Sequence, residues 1–421
     1  MVIKMEKTIY QRVKEAEKMF GEYEITAKEL ARTRSLRERL EDSHMTVSVI
    51  GQFKRGKSAV INRILQREIM PVGIVPVTAV VTMIDYGEEP RAYVHFANGM
   101  VKDTPFEELS AYVNEQENRD NHLKVSRVEV TCPSPFLEDN LTLVDTPGVG
   151  SLHEKNTKEA YSFVTESDAV IFTFSVDSPL NRIETDFLLK AKEYASKFYF
   201  AVNKTDMISK DDLEAYLAYC REILPALTGL DNVRLFPVSA RTGEGIDALK
   251  DAVASDMRTE GRKILEESSE LKLRDIVLSA LAQIKLYRSA LSMTGEEFED
   301  RFKEMNAFFD QLKAEAKNLP EALKKNPMVC ELHANDVKNR LAEKVTELFG
   351  IDYSYDIEDV EEADGREERD IAAEVTDICD SLLSTLNEIF MYREENTYIV
   401  SKRIYHLNDM VRKLVRMRDR K

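Results

Sequence analysis

Residues 51 to 58 read Gly51-Gln52-Phe53-Lys54-Arg55-Gly56-Lys57-Ser58, a complete G-x-x-x-x-G-K-S loop, and its flanks decide what it can be. The run before it, Met45-Thr46-Val47-Ser48-Val49-Ile50, reads as a buried strand. The run after it, Ala59-Val60-Ile61-Asn62-Arg63-Ile64-Leu65, reads as a helix start. Strand, loop, helix is the context in which backbone N–H groups ring a phosphate at a helix N-terminus. There Lys57 reaches the β- and γ-phosphates, and the Ser58 hydroxyl ligates Mg²⁺. The unit predicts an α/β domain with a doubly wound mixed sheet.

Further parts follow in chain order. Leu143-Val144-Asp145-Thr146-Pro147-Gly148 is an apolar strand ending in D-T-P-G. A carboxylate at Asp145 can hold Mg²⁺ through a water, and Gly148 presents an unobstructed N–H to the γ-phosphate. Phe198 to Val202 is another buried strand, ending in Asn203-Lys204-Thr205-Asp206. A carboxylate at Asp206 accepts from both guanine N1–H and its 2-amino group, donors that adenine lacks, so the motif selects GTP and GDP over adenine nucleotides. Arg234 to Ala240 is the last strand, with Ser239-Ala240 placing a backbone N–H on guanine O6. Thr78, ahead of the β-rich run Ala79 to Ile84, is the candidate switch threonine, completing Mg²⁺ coordination when a γ-phosphate is present. A threonine that merely opens a strand is its other reading.

G-Q-F-K-R-G-K-S, then P-V-G-I-V-P-V-T-A-V-V-T, then L-V-D-T-P-G-V-G-S resembles the bacterial branch of the dynamin superfamily over about residues 45 to 250. The resemblance implies a GTPase domain on a helical stalk, activated by nucleotide-dependent dimerisation and often acting on membranes. Val149 stands where Ras-like proteins place a water-orienting glutamine, so the attacking water must be positioned by backbone groups, Thr78 or a partner. Lys54 occupies the loop place that relatives fill with a cation-binding serine or an internal arginine finger. An ammonium there could supply transition-state charge. The alternative makes Lys54 and Arg55 two solvated loop charges.

A chain of 421 residues is too long for one ordinary core, so two or three domains are expected. Charged residues make up 32%, with few Gly and Pro, which predicts much exposed helix. The net charge of −17 argues against a dedicated nucleic-acid binder. Cys132, Cys220, Cys330 and Cys379 lie far apart, as expected of buried thiols in a reducing compartment. Met1 to Glu6 leads into a charged helix rather than a signal peptide, and no run approaches the length needed to span a bilayer.

Three segments are predicted: an N-terminal helical segment 1–43 packing on the stalk, a GTPase domain 44–256, and a helical domain 257–421. Residues 5 to 42 read as one helix whose apolar seam (Ile9, Val13, Ala16, Phe20, Tyr23, Ala27, Leu30) has coiled-coil spacing. Residues 91–96 and 125–130 look like extra strands, and 242–245 cap the closing helix. Later helices are expected near 257–292, 295–318, 328–349 and 367–419, broken at Pro320 and Pro327. Residues 352–370, with ten acidic against two basic residues, read as a solvated loop. The basic segment 392–421 reads either as a helix packing its apolar side on neighbours, which the balance favours, or as one lying on an anionic membrane. The resemblance suggests that it pairs with residues 5 to 42.

The expected activity is GTP hydrolysis to GDP and phosphate with Mg²⁺, coupled to self-association and to membrane remodelling or tethering. The expected partners are a second copy through the GTPase domain, a second dynamin-like chain and a lipid surface, with no nucleic acid. The expected location is cytoplasmic, at the periphery of the inner membrane face. The rival is a soluble GTP-controlled switch that docks a protein and never touches lipid. A ribosome-assembly GTPase is a third possibility, but no RNA-binding module is visible after residue 250.

Overall fold

The computed structural model describes residues 8–22, 24–71, 80–114, 117–118, 121–138, 140–149, 160–161, 163–230, 233–324, 327–353, 371–393 and 397–418. The chain divides into two compact units. One spans Leu36–Lys272; the other joins the chain ends, Met1–Ser35 and Leu273–Lys421.

The first unit is built on a mixed sheet of nine described strands: β1 (Met45–Ile50), β2 (Thr82–Tyr86), β3 (Arg91–Phe96), β4 (Val101–Thr104), β5 (Val125–Cys132), β6 (Leu141–Asp145), β7 (Ala169–Ser175), β8 (Lys197–Asn203) and β9 (Leu235–Pro237). Their order is β4-β3-β5-β2-β6-β1-β7-β8-β9. From β6 to β9 the neighbours run parallel, while β2 lies antiparallel to β6 and β3 antiparallel to β4 and β5. A parallel strand is covered on both faces, so β1 and β7 are buried at every residue, including the polar Thr46, Ser48, Thr173 and Ser175. Phe172, Phe174 and Phe200 pack among Ile50, Val170, Phe187 and Leu188 to fill one side. The doubly wound mixed sheet is as the sequence predicts, and the extra strands near 91–96 and 125–130 are present. Two strands were not predicted, β4 and the central β7.

A buried carboxylate fastens this unit at the start of β7. Asp168, fully buried, accepts from Thr46 N at 2.9 Å and Arg39 Nη2 at 2.6 Å on one oxygen. Its other oxygen accepts from Ser268 Oγ and Lys272 Nζ, both at 2.6 Å. Burial pushes this carboxyl up, but the Lys272 ammonium and the Arg39 guanidinium more than reverse it and hold it below the usual range.

The second unit is helical in its described parts. The helix expected over residues 5 to 42 is broken: Ile9–Phe20 ends at Gly21, a 3₁₀ turn covers Glu24–Thr26, and a second helix runs Ala27–Asp42. The buried Thr26 hydroxyl donates to Phe20 O at 2.8 Å, taking a carbonyl that a continuous helix would have used. The break shifts the seam. Ile9, Val13, Ala16 and Phe20 are buried as predicted, but Ala27 is exposed, and Thr26, Glu29 and Thr33 take the inner positions. Tyr23 lies outside the described residues.

The helix closing the sheet unit and the helix expected from 257 are one element, Ile246–Ser292. Gly295–Lys317 and Pro327–Phe349 follow as predicted. In place of one helix over 367–419 there are Ile371–Arg393 and Thr397–Arg418. In the last helix Leu407, Met410, Leu414 and Met417 are buried, so its apolar side is spent on packing. Arg12 Nη2 donates to Met417 O at 3.3 Å, so this helix does meet the N-terminal one. Most of the acidic stretch 352–370 lies outside the described residues.

Candidate nucleotide site

The phosphate loop closes only because of its two glycines. Gly51 has φ +147°, and a Cβ there would meet Thr173 O at 2.1 Å. Gly56 has φ +89° and caps the Lys57–Leu65 helix; a Cβ there would meet Asn203 Nδ2 at 2.4 Å. The Lys57 ammonium folds back onto Gly51 O at 3.1 Å. Burial pushes it down to about 8, with Asp145 and Glu184 pulling the other way.

Ser58 and Asp145 come from different elements and meet: Ser58 Oγ donates to Asp145 Oδ2 at 2.7 Å. A hydroxyl beside a buried carboxylate is the oxygen donor set that Mg²⁺ takes alongside phosphate oxygens, so the residues present fit that ion. Among the described residues no group of three or more His, Cys, Asp or Glu forms a separate metal cluster. Thr78 lies outside the described residues.

The D-T-P-G turn is pressed against the loop. Phe53 N donates to Val149 O at 3.1 Å, and a Cβ on Gly148 would meet Phe53 Cα at 2.7 Å and Lys57 Nζ at 3.0 Å. Gly148 therefore admits no side chain. Val149 is fully buried in the apolar cluster with Ile50 and Phe172.

On the base side, Asn203 acts as a staple. Its Nδ2 donates to Arg55 O at 2.9 Å, and its Oδ1 accepts from Ala240 N at 3.0 Å and Lys204 N at 2.8 Å. Lys204 Nζ donates to Asp177 Oδ2 at 2.7 Å. Asp206 Oδ1 accepts from Ser239 Oγ at 2.5 Å, and Arg241 pairs with the other oxygen. The Ser239 hydroxyl and the Arg241 guanidinium hold the Asp206 carboxyl below its ordinary range, so it stays an acceptor at neutral pH.

Lys54 and Arg55 part company. Lys54 is exposed at φ +65°, with its ammonium 5.3 Å from the centre of the Phe53 ring. Arg55 is no solvated charge: it is 3% exposed and paired with the fully buried Glu184. Gln52 Oε1 accepts from Asn181 Nδ2 at 2.7 Å. Sequence reasoning missed Ser175, Asp177, Asn181, Glu184 and Arg241. One local signal existed: Asn181-Arg182-Ile183-Glu184 is a capping box, with both reciprocal hydrogen bonds formed at the start of the Arg182–Ala191 helix.

A mixed sheet whose parallel part carries a phosphate loop on β1, D-T-P-G after β6 and N-K-T-D after β8 defines a guanine-nucleotide domain of the P-loop class. Residues 47–206 match the family model described as the Dynamin family, so this part of the chain is similar to that family. An uncharacterised protein of Caldicellulosiruptor sp. is 39% identical over 207 residues, covering 49% of this chain and 52% of that protein. Dynamin-like protein 2 of Campylobacter jejuni is 30% identical over 184 residues, covering 43% of this chain and 29% of that one. The chain thus spans about half, or less, of the length of these relatives. A solved oligomerised bacterial dynamin pair, described as sensing and tethering membranes over long range, covers 97% of this chain and 79% of its own at 17% identity and a TM-score of 0.44.

Proposed function

We propose that this chain binds GTP with Mg²⁺ and hydrolyses it to GDP and phosphate. The observation that carries the reading is the meeting of Ser58 and Asp145 at 2.7 Å beside the folded-back Lys57 ammonium. Lys57 would hold the β- and γ-phosphates, Ser58, Thr78 and Asp145 would hold the ion, and the bound ion would supply neutralisation of phosphate charge. Gly148 offers its N–H to the γ-phosphate. Asp206 reads guanine after giving up Arg241, with Asn203, Lys204, Ser239 and Ala240 shaping the base pocket. Lys54 supplies positive charge to the transferring phosphoryl group. Its left-handed backbone, which a lysine adopts only at a cost, supports a role beyond solvation.

Val149, the residue directly after D-T-P-G, is buried in the core and offers no polar group to orient water, which favours completion by a second copy. The proposal is therefore GTP-driven dimerisation of the nucleotide domain, coupled to membrane remodelling or tethering from the cytoplasmic face, with a second dynamin-like chain as a further partner. A specific observation favours the alternative of a GTP-controlled protein switch: the apolar side of the Thr397–Arg418 helix is buried, through Leu407, Met410, Leu414 and Met417.

GTPase rate against protein concentration, with and without liposomes, tests both readings. Specific activity that rises with concentration supports dimer completion, and a flat profile from nanomolar to tens of micromolar opposes it. A GTP-dependent shift into the liposome pellet selects the membrane reading, and its absence selects the switch. Asp206→Asn should weaken GTP binding severely while admitting xanthosine nucleotides. Equal competition by ATP in the unchanged protein would contradict the guanine assignment.

A further inference from the structure

Arg55 is bound more completely than a loop charge needs to be. Nε and Nη2 grip the two oxygens of Glu184 at 2.8 and 2.7 Å. Nη1 donates to Ser175 Oγ at 3.1 Å and Ser178 O at 3.0 Å, and Nη2 donates also to Pro179 O at 3.2 Å. All five guanidinium N–H groups thus have acceptors, a fork that a lysine ammonium has no means to copy. A buried ion pair of this kind is a poor way to gain stability, since apolar side chains of equal volume often do as well or better. What the pair does supply is fixed position.

The network leads to the base loop by two routes. Through the side chain, Ser175 Oγ donates on to Asp177 Oδ1 at 2.5 Å, and the opposite oxygen of Asp177 receives Lys204 Nζ at 2.7 Å. Through the backbone, Arg55 O receives Asn203 Nδ2 at 2.9 Å. Asn203 and Lys204 open the N-K-T-D loop, and Lys204 sits in the left-handed region at φ +64°, a backbone that costs a non-glycine residue energy.

We propose that Arg55 is a positioning residue that makes phosphate binding and base recognition cooperative: its guanidinium, held by Glu184, sets the phosphate loop against the N-K-T-D loop through Ser175 and Asp177. It acts through the geometry of both loops rather than on the nucleotide. This rests on the guanine-nucleotide reading of the site.

The test uses the full chain and a fluorescent GDP displaced by GDP or by IDP, whose base lacks the 2-amino group. The readout is the ratio of the two affinities. A purely structural Arg55 would lower both affinities together and leave the ratio alone. Arg55→Gln should cut the preference for GDP by about tenfold, the size of one lost charge-assisted hydrogen bond at the base. Arg55→Lys, which keeps the charge and loses the fork, should also lower it. Where Arg55→Gln fails to fold because Glu184 is left buried and unpaired, Asp177→Asn decides: its side chain is 34% exposed, so it takes the charge out of the link to Lys204 without stranding a buried charge. A reduced ratio in Asp177→Asn supports the proposal. An unchanged ratio there, or parallel losses for GDP and IDP in the Arg55 variants, overturns it. If the unmodified protein binds neither nucleotide, the underlying reading of the site fails first.

Discussion

Lys57 carries a conflict that a nucleotide would resolve. Burial lowers its ammonium to about 8, and phosphate oxygens placed beside it would raise it again. Below pH 8 the lysine is already charged, so binding takes up no proton. Above pH 8 the free protein loses that proton and binding must recover it, so affinity falls by up to about tenfold per pH unit. GDP titrations between pH 7 and 9 should show a decline setting in near pH 8; constant affinity to pH 9 would contradict the buried, phosphate-facing lysine. Lys54 poses a different question. If it stabilises the transferring phosphoryl group, Lys54→Ala should lower kcat by about a thousandfold or more while changing GTP binding little. Single-turnover hydrolysis at saturating GTP measures this, and a loss under about threefold would return Lys54 to the role of a loop charge.

At the scale of elements, the break between Ile9–Phe20 and Ala27–Asp42 is bridged by one buried hydroxyl, Thr26 to Phe20 O. Thr26→Val keeps the shape but strands Phe20 O without its buried donor, which should lower stability by about 1–3 kcal/mol, measured by urea unfolding. An unchanged midpoint would mean that the turn is held otherwise. The same feature explains why the heptad spacing misled: periodicity records which side chains are apolar, not which hydroxyl competes for a carbonyl. Strands β1 and β8 were legible because each buried run ends in a chemical motif. Strand β7 is just as apolar but ends in none, and a short buried run does not separate strand from helix by itself. The motif residues of the site were legible because their loops demand particular backbone shapes. Arg55 was not, because its partner Glu184 lies 129 residues away in sequence.

At the scale of the molecule, Asp168 collects charges from distant parts of the sheet unit. Lys272→Met would take the ammonium from this carboxylate, leaving Arg39 and the hydrogen bonds from Thr46 and Ser268, and should cost about 3–5 kcal/mol, while the double change with Asp168→Asn removes the charge as well and should cost clearly less. If the losses of Lys272→Met alone and of Asp168→Asn alone add up to that of the double variant, the pair is not coupled. Because the Asp168 carboxyl lies below its unfolded value, the stability it contributes is full above the unfolded value and is lost as pH falls through the folded one. The arrangement also sets an order of events during synthesis. Lys272 emerges from the ribosome 104 residues after Asp168, a delay of roughly 5–20 s at ordinary elongation rates. Until then the sheet's central carboxylate lacks both its ammonium and the Ser268 hydroxyl. The phosphate loop and the N-K-T-D loop are therefore both translated well before the unit that must hold them together has its last anchor, and ribosome-bound chains arrested short of residue 268 should remain more sensitive to protease than chains arrested well beyond residue 272.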